Sequence, residues 1–258
     1  MILTTGPTGS GKTTTLYAFL KKIHVPGIKI ITIENPIEYH LPGVVQTQTD
    51  EDKGYTFLEG LRSALRQDPD VIMVGEIRDE ETAEIAVNAA LTGHLVFSTL
   101  HTNNAAGAFP RLIDLGVNPK VITSAISISI AQRLVRKLCP LCKKEVALKA
   151  DEKATIERIL KTLPKNTPMP KKLTSWTAVG CATCNSTGYK GRVGVYEAIL
   201  TDEKIEKIVK ENPSEREIRN AAKGQGILNL PQDAIMKMLT GVTSLDEINR
   251  VIDLTEEL

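Results

Sequence analysis

A glycine-rich segment near the N-terminus carries the residue types that bind phosphate groups. Residues 6–13 read Gly-Pro-Thr-Gly-Ser-Gly-Lys-Thr, with an apolar run before them and a helical stretch after them. This order fits the loop G-x-x-x-x-G-K-[ST], in which backbone N–H groups and a helix N-terminus bind nucleotide phosphates; the alternative is a chance match in a turn. Lys12 is expected to reach the β- and γ-phosphates, and the Thr13 hydroxyl to bind Mg²⁺. The residues predicted to contact ATP are Gly6, Pro7, Thr8, Gly9, Ser10, Gly11, Lys12, Thr13 and Thr14.

Two segments that end in carboxylates could act on a bound triphosphate. Residues 70–76 form an apolar run that ends at Glu76, where a Walker-B acid would meet the metal. Residues 31–38 form a second candidate strand, which ends in Glu34 and Glu38. One acid could act on Mg²⁺ while another polarises the attacking water. A solvated surface loop is the alternative for Glu34 and Glu38.

The four cysteines form two C-x-x-C pairs. Cys139 and Cys142 make the first pair, and Cys181 and Cys184 follow after 38 intervening residues. Two such pairs are typical of a tetrahedral zinc site with four thiolate ligands, and a redox dithiol is the less favoured alternative. Because such a site leaves no open coordination position, its expected role is structural.

Alternating strands and helices account for the first half of the chain. The apolar runs expected to be strands are Met1–Thr5, Lys29–Ile33, Val71–Val74 and Leu95–Thr99. Such runs, separated by helical stretches, predict a parallel sheet covered by helices on both faces, and hence an α/β fold. We expect three regions: a core at residues 1–136, a tetracysteine subdomain with a basic insertion at 137–190, and a strand (192–200) followed by helices at 191–258.

Helix-end signals support the helical assignment of the last region. Ser214 with Glu217, and Ser244 with Glu247, have capping-box spacing. Pro231 suits the first turn of a helix, and Gly241 suits a C-terminal cap.

Composition excludes several classes of protein. The 258 residues are 41% hydrophobic, 24% charged and only 4% aromatic, with a net charge of +1. A disordered chain is excluded, and neither the charge nor the aromatic content favours a nucleic-acid partner. The N-terminus lacks a signal-peptide pattern, and the longest stretch without charged residues, Ile85–Pro110, is too polar to cross a bilayer. These features together indicate a cytosolic protein.

Four motifs in order resemble the secretion ATPase superfamily, the hexameric motors of type II secretion and type IV pilus assembly. They are the phosphate loop, the segment 34–38, residues 60–79 and residues 92–103. The resemblance covers nearly the whole chain and implies a RecA-like core that couples ATP hydrolysis to mechanical work on pilus extension or protein secretion. It also implies a homo-hexamer, a platform partner at the inner membrane, and a cytoplasmic location at that membrane through the partner.

The resemblance also implies roles for individual residues. Glu38 matches the catalytic glutamate of the family's Asp box, and Glu76 matches the Walker-B glutamate. His94 and His101 match the His-box positions, which sense the γ-phosphate; the residues alone would suggest core or loop histidines. Arg62 and Arg66 lie four residues apart on one helical face, which alone would suggest a solvent-exposed helix face. The resemblance makes them candidates for contacts at the subunit interface that carries the nucleotide, and Arg78 is a weaker candidate.

The sequence departs from the family pattern in two places. Asn35 stands where the family's Asp box has an aspartate, so one charge is lost; turnover would suffer if that charge tunes Glu38 or the metal, but the matching glutamates remain and we expect activity to survive. Family motors carry an N-terminal domain before the phosphate loop, whereas five residues precede Gly6 here, so the chain resembles a C-terminal ATPase domain.

The second cysteine pair sharpens the assignment and leaves two rivals open. Residues 180–197 resemble the metal-binding stretch of secretion and pilus-extension ATPases, which retraction motors lack. A nucleic-acid translocase shares the RecA-like core, but near-neutral charge disfavours it. The second alternative is a module that binds nucleotide without hydrolysing it. Asn35 and the absence of the family's N-terminal domain favour this alternative.

Overall fold

The computed structural model describes residues 1–165, 167–170 and 172–254, so the last four residues of the predicted region 191–258 lie outside the described part. The chain divides into two compact units, each made of two segments. The first unit contains Met1–Ala131 and Ala198–Gln225, and the second contains Gln132–Glu197 and Gly226–Leu258.

A mostly parallel sheet forms the centre of the first unit. Its strands are β1 (Ile2–Thr5), β2 (Ile30–Glu34), β3 (Val45–Gln48), β4 (Val71–Val74), β5 (Leu95–Leu100) and β6 (Ile128–Leu138), the last of which runs on into the second unit. Their order is β3-β2-β4-β5-β1-β6, and neighbouring strands in this order are parallel. The predicted α/β class with a parallel sheet is therefore confirmed.

The register brings the carboxyl ends of the strands to one edge of the sheet. Ile2 lies opposite Phe97 and Thr5 opposite Leu100, and Val71 of β4 lies opposite Leu95. Every residue of β2 and β4 is buried, as expected for a sheet covered on both faces. The segments that follow Thr5, Glu34, Val74 and Leu100 consequently meet at this edge, which we call the nucleotide edge because the sequence predicts nucleotide binding there.

Helices cover the sheet of the first unit. They are α1 (Lys12–Ile23), α2 (Phe57–Leu65), α3 (Glu80–Leu91), α4 (Ala108–Asp114), α5 (Pro119–Ala125), α7 (Glu203–Val209) and α8 (Glu215–Ala222). One face of α1 packs Leu16, Tyr17 and Leu20 into a core that includes Phe97 of β5. The predicted capping box of α8 is confirmed, because the Ser214 N–H donates to Glu217 Oε2 at 2.7 Å and the Glu217 N–H donates to Ser214 Oγ at 3.4 Å.

The second unit surrounds the cysteines. Besides the rest of β6, it contains β7 (Lys144–Val146), α6 (Ala150–Leu160), β8 (Ser175–Thr177), most of β9 (Tyr189–Leu200), α9 (Leu230–Leu239) and α10 (Leu245–Asn249). Pro231 lies in the first turn of α9, and Gly241 follows its last turn with φ of 71°, as predicted for both. The box predicted for α10 is half formed: Ser244 Oγ accepts the Glu247 N–H, but the Glu247 carboxylate binds arginines instead.

Four strands were not expected from the sequence: β3 and β6, and the short strands β7 and β8 of the second unit. β3 reads Val-Gln-Thr-Gln and lies at the end of the sheet order, where polar side chains are tolerated and no apolar run marks the strand. β6 contains Ser129, Gln132 and Arg133, which interrupt its apolar pattern although all three are buried. The candidate strand 31–38 ends at Glu34, before the Pro36 that would interrupt it. Among the described residues, no helix has the length and hydropathy needed to cross a membrane.

Candidate functional site

The phosphate loop connects the buried strand β1 to α1. Gly6, Gly9 and Gly11 have φ of 146°, 78° and 89°, which a side-chain-bearing residue would adopt only with strain. Lys12 folds back over the loop, and its Nζ donates to the carbonyl oxygens of Gly6 at 2.7 Å and Pro7 at 3.2 Å. The backbone of the loop is therefore concave, and the positive charge of Lys12 lies over it.

The N-terminus of α1 is suited to an anion. No side chain caps it, its first turn contains no acid, and Gly11 at the cap position is left-handed. The N–H groups of a first helical turn and the helix dipole both favour negative charge at this end. Thr13, the second residue of the helix, is only partly exposed and places its hydroxyl at the same end.

Glu76 and His101 lie together at the nucleotide edge. Glu76 comes two residues after the end of β4, and its side chain is 12% exposed. Arg78 NH2 lies 2.5 Å from Glu76 Oε1, and His101 Nε2 lies 3.5 Å from Glu76 Oε2. The bond to Glu76 raises the pKa of Arg78 above its usual value. The carboxylate thus lies between the guanidinium of Arg78 and the imidazole of His101, and both of these side chains are more than half exposed.

The beginning of the phosphate loop is tied to the segment after His101. The Thr102 N–H donates to Thr5 Oγ1 at 2.8 Å, and the two hydroxyl oxygens lie 2.6 Å apart. Further along, Asn104 Nδ2 donates to Glu215 Oε1 of α8 at 2.5 Å. These bonds fix the His101 segment between the phosphate loop and a helix of the same unit.

Glu34 and Glu38 occupy opposite environments. Glu34 is 2% exposed and accepts hydrogen bonds from Thr32 Oγ1 at 2.5 Å, from Gln46 Nε2 at 3.1 Å and from the Tyr17 hydroxyl. The solvated-loop interpretation is therefore wrong for Glu34. Glu38, in contrast, is exposed in the connection between β2 and β3, where it can meet a ligand or water.

The four cysteine sulfurs of the second unit form a compact cluster. Their Sγ atoms all lie within 4.8 Å of one another, with 3.9 Å from Cys139 to Cys181, 3.8 Å from Cys142 to Cys184, and 3.7 Å from Cys181 to Cys184. A tetrahedral Zn²⁺ with Zn–S bonds of about 2.3 Å requires sulfurs about 3.8 Å apart, and a disulfide requires about 2.05 Å. The cysteines are accordingly free thiols with the spacing of a metal site.

Backbone geometry supports a thiolate at Cys184, whereas burial and the neighbouring cysteine sulfurs raise the pKa of Cys142 to about 12. Burial alone would raise the pKa of Cys184, but the N–H groups of Cys181 and Gly188, each 3.2 Å from its sulfur, help to lower it to about 6. Gly188 has φ of 75°, and a Cβ there would lie 2.5 Å from that of Ala178. Only glycine therefore brings this N–H to the sulfur without strain.

Comparison with known proteins identifies the family. Residues 1–250 match the family described as Type II/IV secretion system protein. The chain belongs to this family. It is 48% identical over 251 residues to Type II secretion system protein E of Pseudomonas aeruginosa, which covers 97% of this chain and 48% of that protein. It is 45% identical over 250 residues to the Type IV pilus assembly ATPase PilB of Myxococcus xanthus, covering 96% of this chain and 43% of that protein.

Two solved structures share the fold. The Legionella pneumophila ATPase DotB is 27% identical with a TM-score of 0.65, covering 96% of this chain and 58% of DotB. The pilus retraction motor PilT, solved with bound ADP, is 28% identical with a TM-score of 0.57, covering 96% of this chain and 63% of PilT. The chain spans about half the length of the curated relatives it matches.

Not all residues expected from the secretion-family motifs lie at the nucleotide edge. His94 precedes β5, where its Nδ1 lies 3.0 Å from the Ala89 carbonyl oxygen, whereas His101 follows the same strand. The two histidines are seven residue steps apart along an extended strand, a distance of about 23 Å. His94 therefore cannot touch a phosphate bound by the loop of its own chain.

Arg62 and Arg66 also lie away from the phosphate loop. Helix α2 returns from the nucleotide edge to the start of β4, and Arg66 caps its far end. Arg62 is exposed and pairs with Glu59 at 3.0 Å. A role for either arginine at a nucleotide requires a neighbouring subunit.

Sequence reasoning missed the polar groups that support the secretion-family motifs. Tyr17 on α1 and Gln46 on β3 both bind Glu34, and neither belongs to a motif. The position of Glu34 in an apolar strand could have predicted such partners, because a buried acid needs hydrogen-bond donors nearby. In the second unit, buried Glu247 binds Arg136 and Arg250, which lie 111 and 3 residues away.

Proposed function

We propose that the chain is the ATP-hydrolysing part of a motor that drives type II protein secretion or type IV pilus extension. The observation that carries the proposal is the meeting of the phosphate loop, Glu76 and His101 at one edge of a parallel sheet. The related PilT was solved with bound ADP, which supports a nucleotide as the ligand. Relatives named secretion protein E and PilB support the two pathways.

The residues divide the reaction into binding and activation. Gly6 to Thr14 bind the phosphates, and Lys12 leaves the loop carbonyls to contact the β- and γ-phosphates. Thr13 and Glu76 fit Mg²⁺ because oxygen ligands suit this ion, and when bound it neutralises phosphate charge. Glu38 orients the water that attacks the γ-phosphoryl group in line, and His101 senses that group through Glu76.

The cysteine cluster fits a structural zinc ion. Four sulfurs close to the required spacing leave no open position, so the metal would hold the second unit together without taking part in hydrolysis. Elemental analysis of purified protein is expected to find one zinc per chain. Less than half a zinc would count against the site.

Assembly and location follow from the same proposal. We infer a homo-hexamer that works on a platform protein at the inner membrane and stays on the cytoplasmic side through that partner. Arg62, Arg66 and His94 are then available to a neighbouring subunit. Closing and opening of subunits would convert hydrolysis into mechanical work.

Steady-state phosphate release by the assembled protein tests the proposal. Glu38→Gln is expected to lower kcat by about 10²–10⁴-fold while ATP still binds, because the water loses its base. Glu84→Gln, an exposed acid on α3, is the matched control and should leave kcat unchanged. Equal near-zero rates for the wild type and Glu38→Gln, despite tight ATP binding, would favour the non-hydrolysing module. Stimulation by added DNA would favour a translocase.

A further inference from the structure

Glutamine side chains of β3 bind backbone groups of every second residue in the loop that carries Glu38. The Ile37 N–H donates to Gln48 Oε1 at 3.1 Å, and the Leu41 N–H donates to Gln46 Oε1 at 2.6 Å. Between them, Gln46 Nε2 donates to the carbonyl oxygen of Tyr39 at 3.3 Å. The backbone on both sides of the exposed Glu38 side chain is thus fixed, chiefly by one glutamine.

Gln46 is itself held by a buried carboxylate. Its Nε2 donates to Glu34 Oε1 at 3.1 Å, and this oxygen also accepts the Thr32 hydroxyl at 2.5 Å. Glu34 Oε2 accepts the hydroxyl of Tyr17. Because all three side chains act as donors, a carboxylate at position 34 satisfies them, whereas an amide would point N–H groups at other donors.

Tyr17 connects this cluster to the phosphate-binding helix. It lies four residues after Thr13, one turn further along the same face of α1, and is fully buried. Its ring packs edge-on against Tyr39, with 4.7 Å between ring centroids. Gln46 Nε2 donates both to the Tyr17 hydroxyl and to the Tyr39 carbonyl oxygen, at 3.3 Å each, so this hydroxyl lies beside the Glu38 segment. Burial and Glu34 raise the pKa of Tyr17.

We propose that Glu34 is a positioning residue that, through Tyr17 and Gln46, fixes Glu38 relative to the phosphate loop. The inference rests on the proposed function, because it concerns the alignment of Glu38 with a γ-phosphate. Water-activating groups tolerate little displacement, and a shift of about 1 Å can cost about 10²-fold in rate. The cluster therefore acts on turnover and leaves the phosphate contacts of Gly6 to Thr13 in place.

Tyr17→Phe is the cleanest test, since it removes one hydroxyl and keeps the ring packing. In the assembled full chain we expect kcat for ATP to fall about 10–100-fold. The affinity for a fluorescent ATP analogue should change less than about twofold, because the loop is untouched. Glu34→Gln is expected to have an effect at least as large.

Tyr55→Phe is the matched control. The Tyr55 hydroxyl also donates to β3, to Thr47 Oγ1 at 2.9 Å, but does not bind Glu34. Its kcat should match that of the wild type. Equal kcat values for Tyr17→Phe and Tyr55→Phe would overturn the inference, as would a loss of analogue binding that accounts for the whole defect.

A double variant separates positioning from general damage. In a Glu38→Gln background, Tyr17→Phe should cause no further loss of residual turnover, because the residue it aligns is already disabled. Fully additive losses would contradict the inference. If the wild type itself binds ATP but does not hydrolyse it, the proposed function fails and takes this inference with it; a turning-over wild type with an unaffected Tyr17→Phe refutes the inference alone.

Discussion

The nucleotide edge and the cysteine cluster are built in opposite ways. At the edge, the phosphate loop, Glu76 and His101 come from distant segments that the parallel sheet aligns, and Glu38 and the helix N-terminus are left open. In the cluster, four sulfurs are already 3.7–3.9 Å apart in the measured pairs, with Cys139 and Cys184 buried. The proposed nucleotide site keeps the Glu38 side chain and the N-terminus of α1 accessible to a ligand, whereas the cysteine cluster brings its four sulfurs together within the second unit.

Within this comparison, the largest effect is expected from a change in the phosphate loop, which should lower turnover and leave the cysteine cluster intact. Lys12→Ala removes the charge that faces the phosphates and should lower kcat by about 10²–10³-fold. Zinc content and the unfolding temperature should stay at wild-type values, because the Lys12 bonds to the Gly6 and Pro7 carbonyl oxygens lie within the phosphate loop. Phosphate release, metal analysis and circular dichroism measure the three quantities.

Lys22→Ala, in the last turn of the same helix, is the control for Lys12→Ala. It removes an identical charge nearly three helical turns away from Lys12 and should leave kcat unchanged. Comparable losses in both variants would mean that helix charge in general, and not the loop lysine, supports turnover.

The second expected effect comes from the cysteine cluster. Cys184→Ser should abolish stoichiometric zinc binding and destabilise the second unit by about 4 kcal/mol when free zinc is a thousandfold above its Kd. The affinity of the phosphate loop for a nucleotide analogue should remain within about twofold of the wild type. Metal analysis, denaturant unfolding and analogue titration test this together. Retention of zinc by the serine variant would contradict the four-thiolate site.

The two regions also differ in how far sequence alone predicted them. Strand β4 consists of four buried apolar residues between a turn and Glu76, so its hydrophobic pattern was enough to predict the strand and its bounds. The cysteine spacing predicted the cluster because C-x-x-C pairs are local signals. The bonds of Tyr17 to Glu34 and of Arg136 to Glu247 depend instead on tertiary contacts 17 and 111 residues apart in sequence, which no local pattern encodes.

His94 shows the opposite limit of sequence reasoning. A motif fixes the order of residues along a strand, but the two ends of the strand lie at different edges of the sheet. His101 reaches Glu76, and His94 lies beside the Ala89 carbonyl at the other end. Strand direction, which follows from the pairing of β1 with β5, decides which of the two is near the phosphate loop.

A third expected effect is an acid sensitivity specific to the second unit. Burial alone would raise the pKa of Glu247, but hydrogen bonds from Arg250 and Arg136 lower it to about 2, below its usual 4.5. Because the folded pKa is depressed, the stabilisation is complete above pH 4.5 and is lost as the pH falls toward 2. Between pH 5 and pH 3 the wild type should lose about 2 kcal/mol more than Glu247→Gln.

Denaturant unfolding of both proteins at each pH measures this difference. Acid also protonates cysteine thiolates, but that loss is common to the wild type and Glu247→Gln and cancels between them. Equal pH slopes for the two proteins would show that the arginine bonds do not stabilise the ionised form of Glu247.

The smallest expected effect compares a helix cap from each unit. Ser214→Ala removes the exposed capping box of α8 in the first unit and should lower the free energy of unfolding by about 0.5–1 kcal/mol. Ser244→Ala in the second unit should cost about 1–2 kcal/mol, because the buried Ser244 Oγ also lies 2.7 Å from the Tyr189 hydroxyl, which would lose its partner. Denaturant unfolding followed by circular dichroism resolves the two values if the m-values agree. If Ser214→Ala lowered the free energy of unfolding more than Ser244→Ala does, the bond between Ser244 and Tyr189 would add no stability to the second unit.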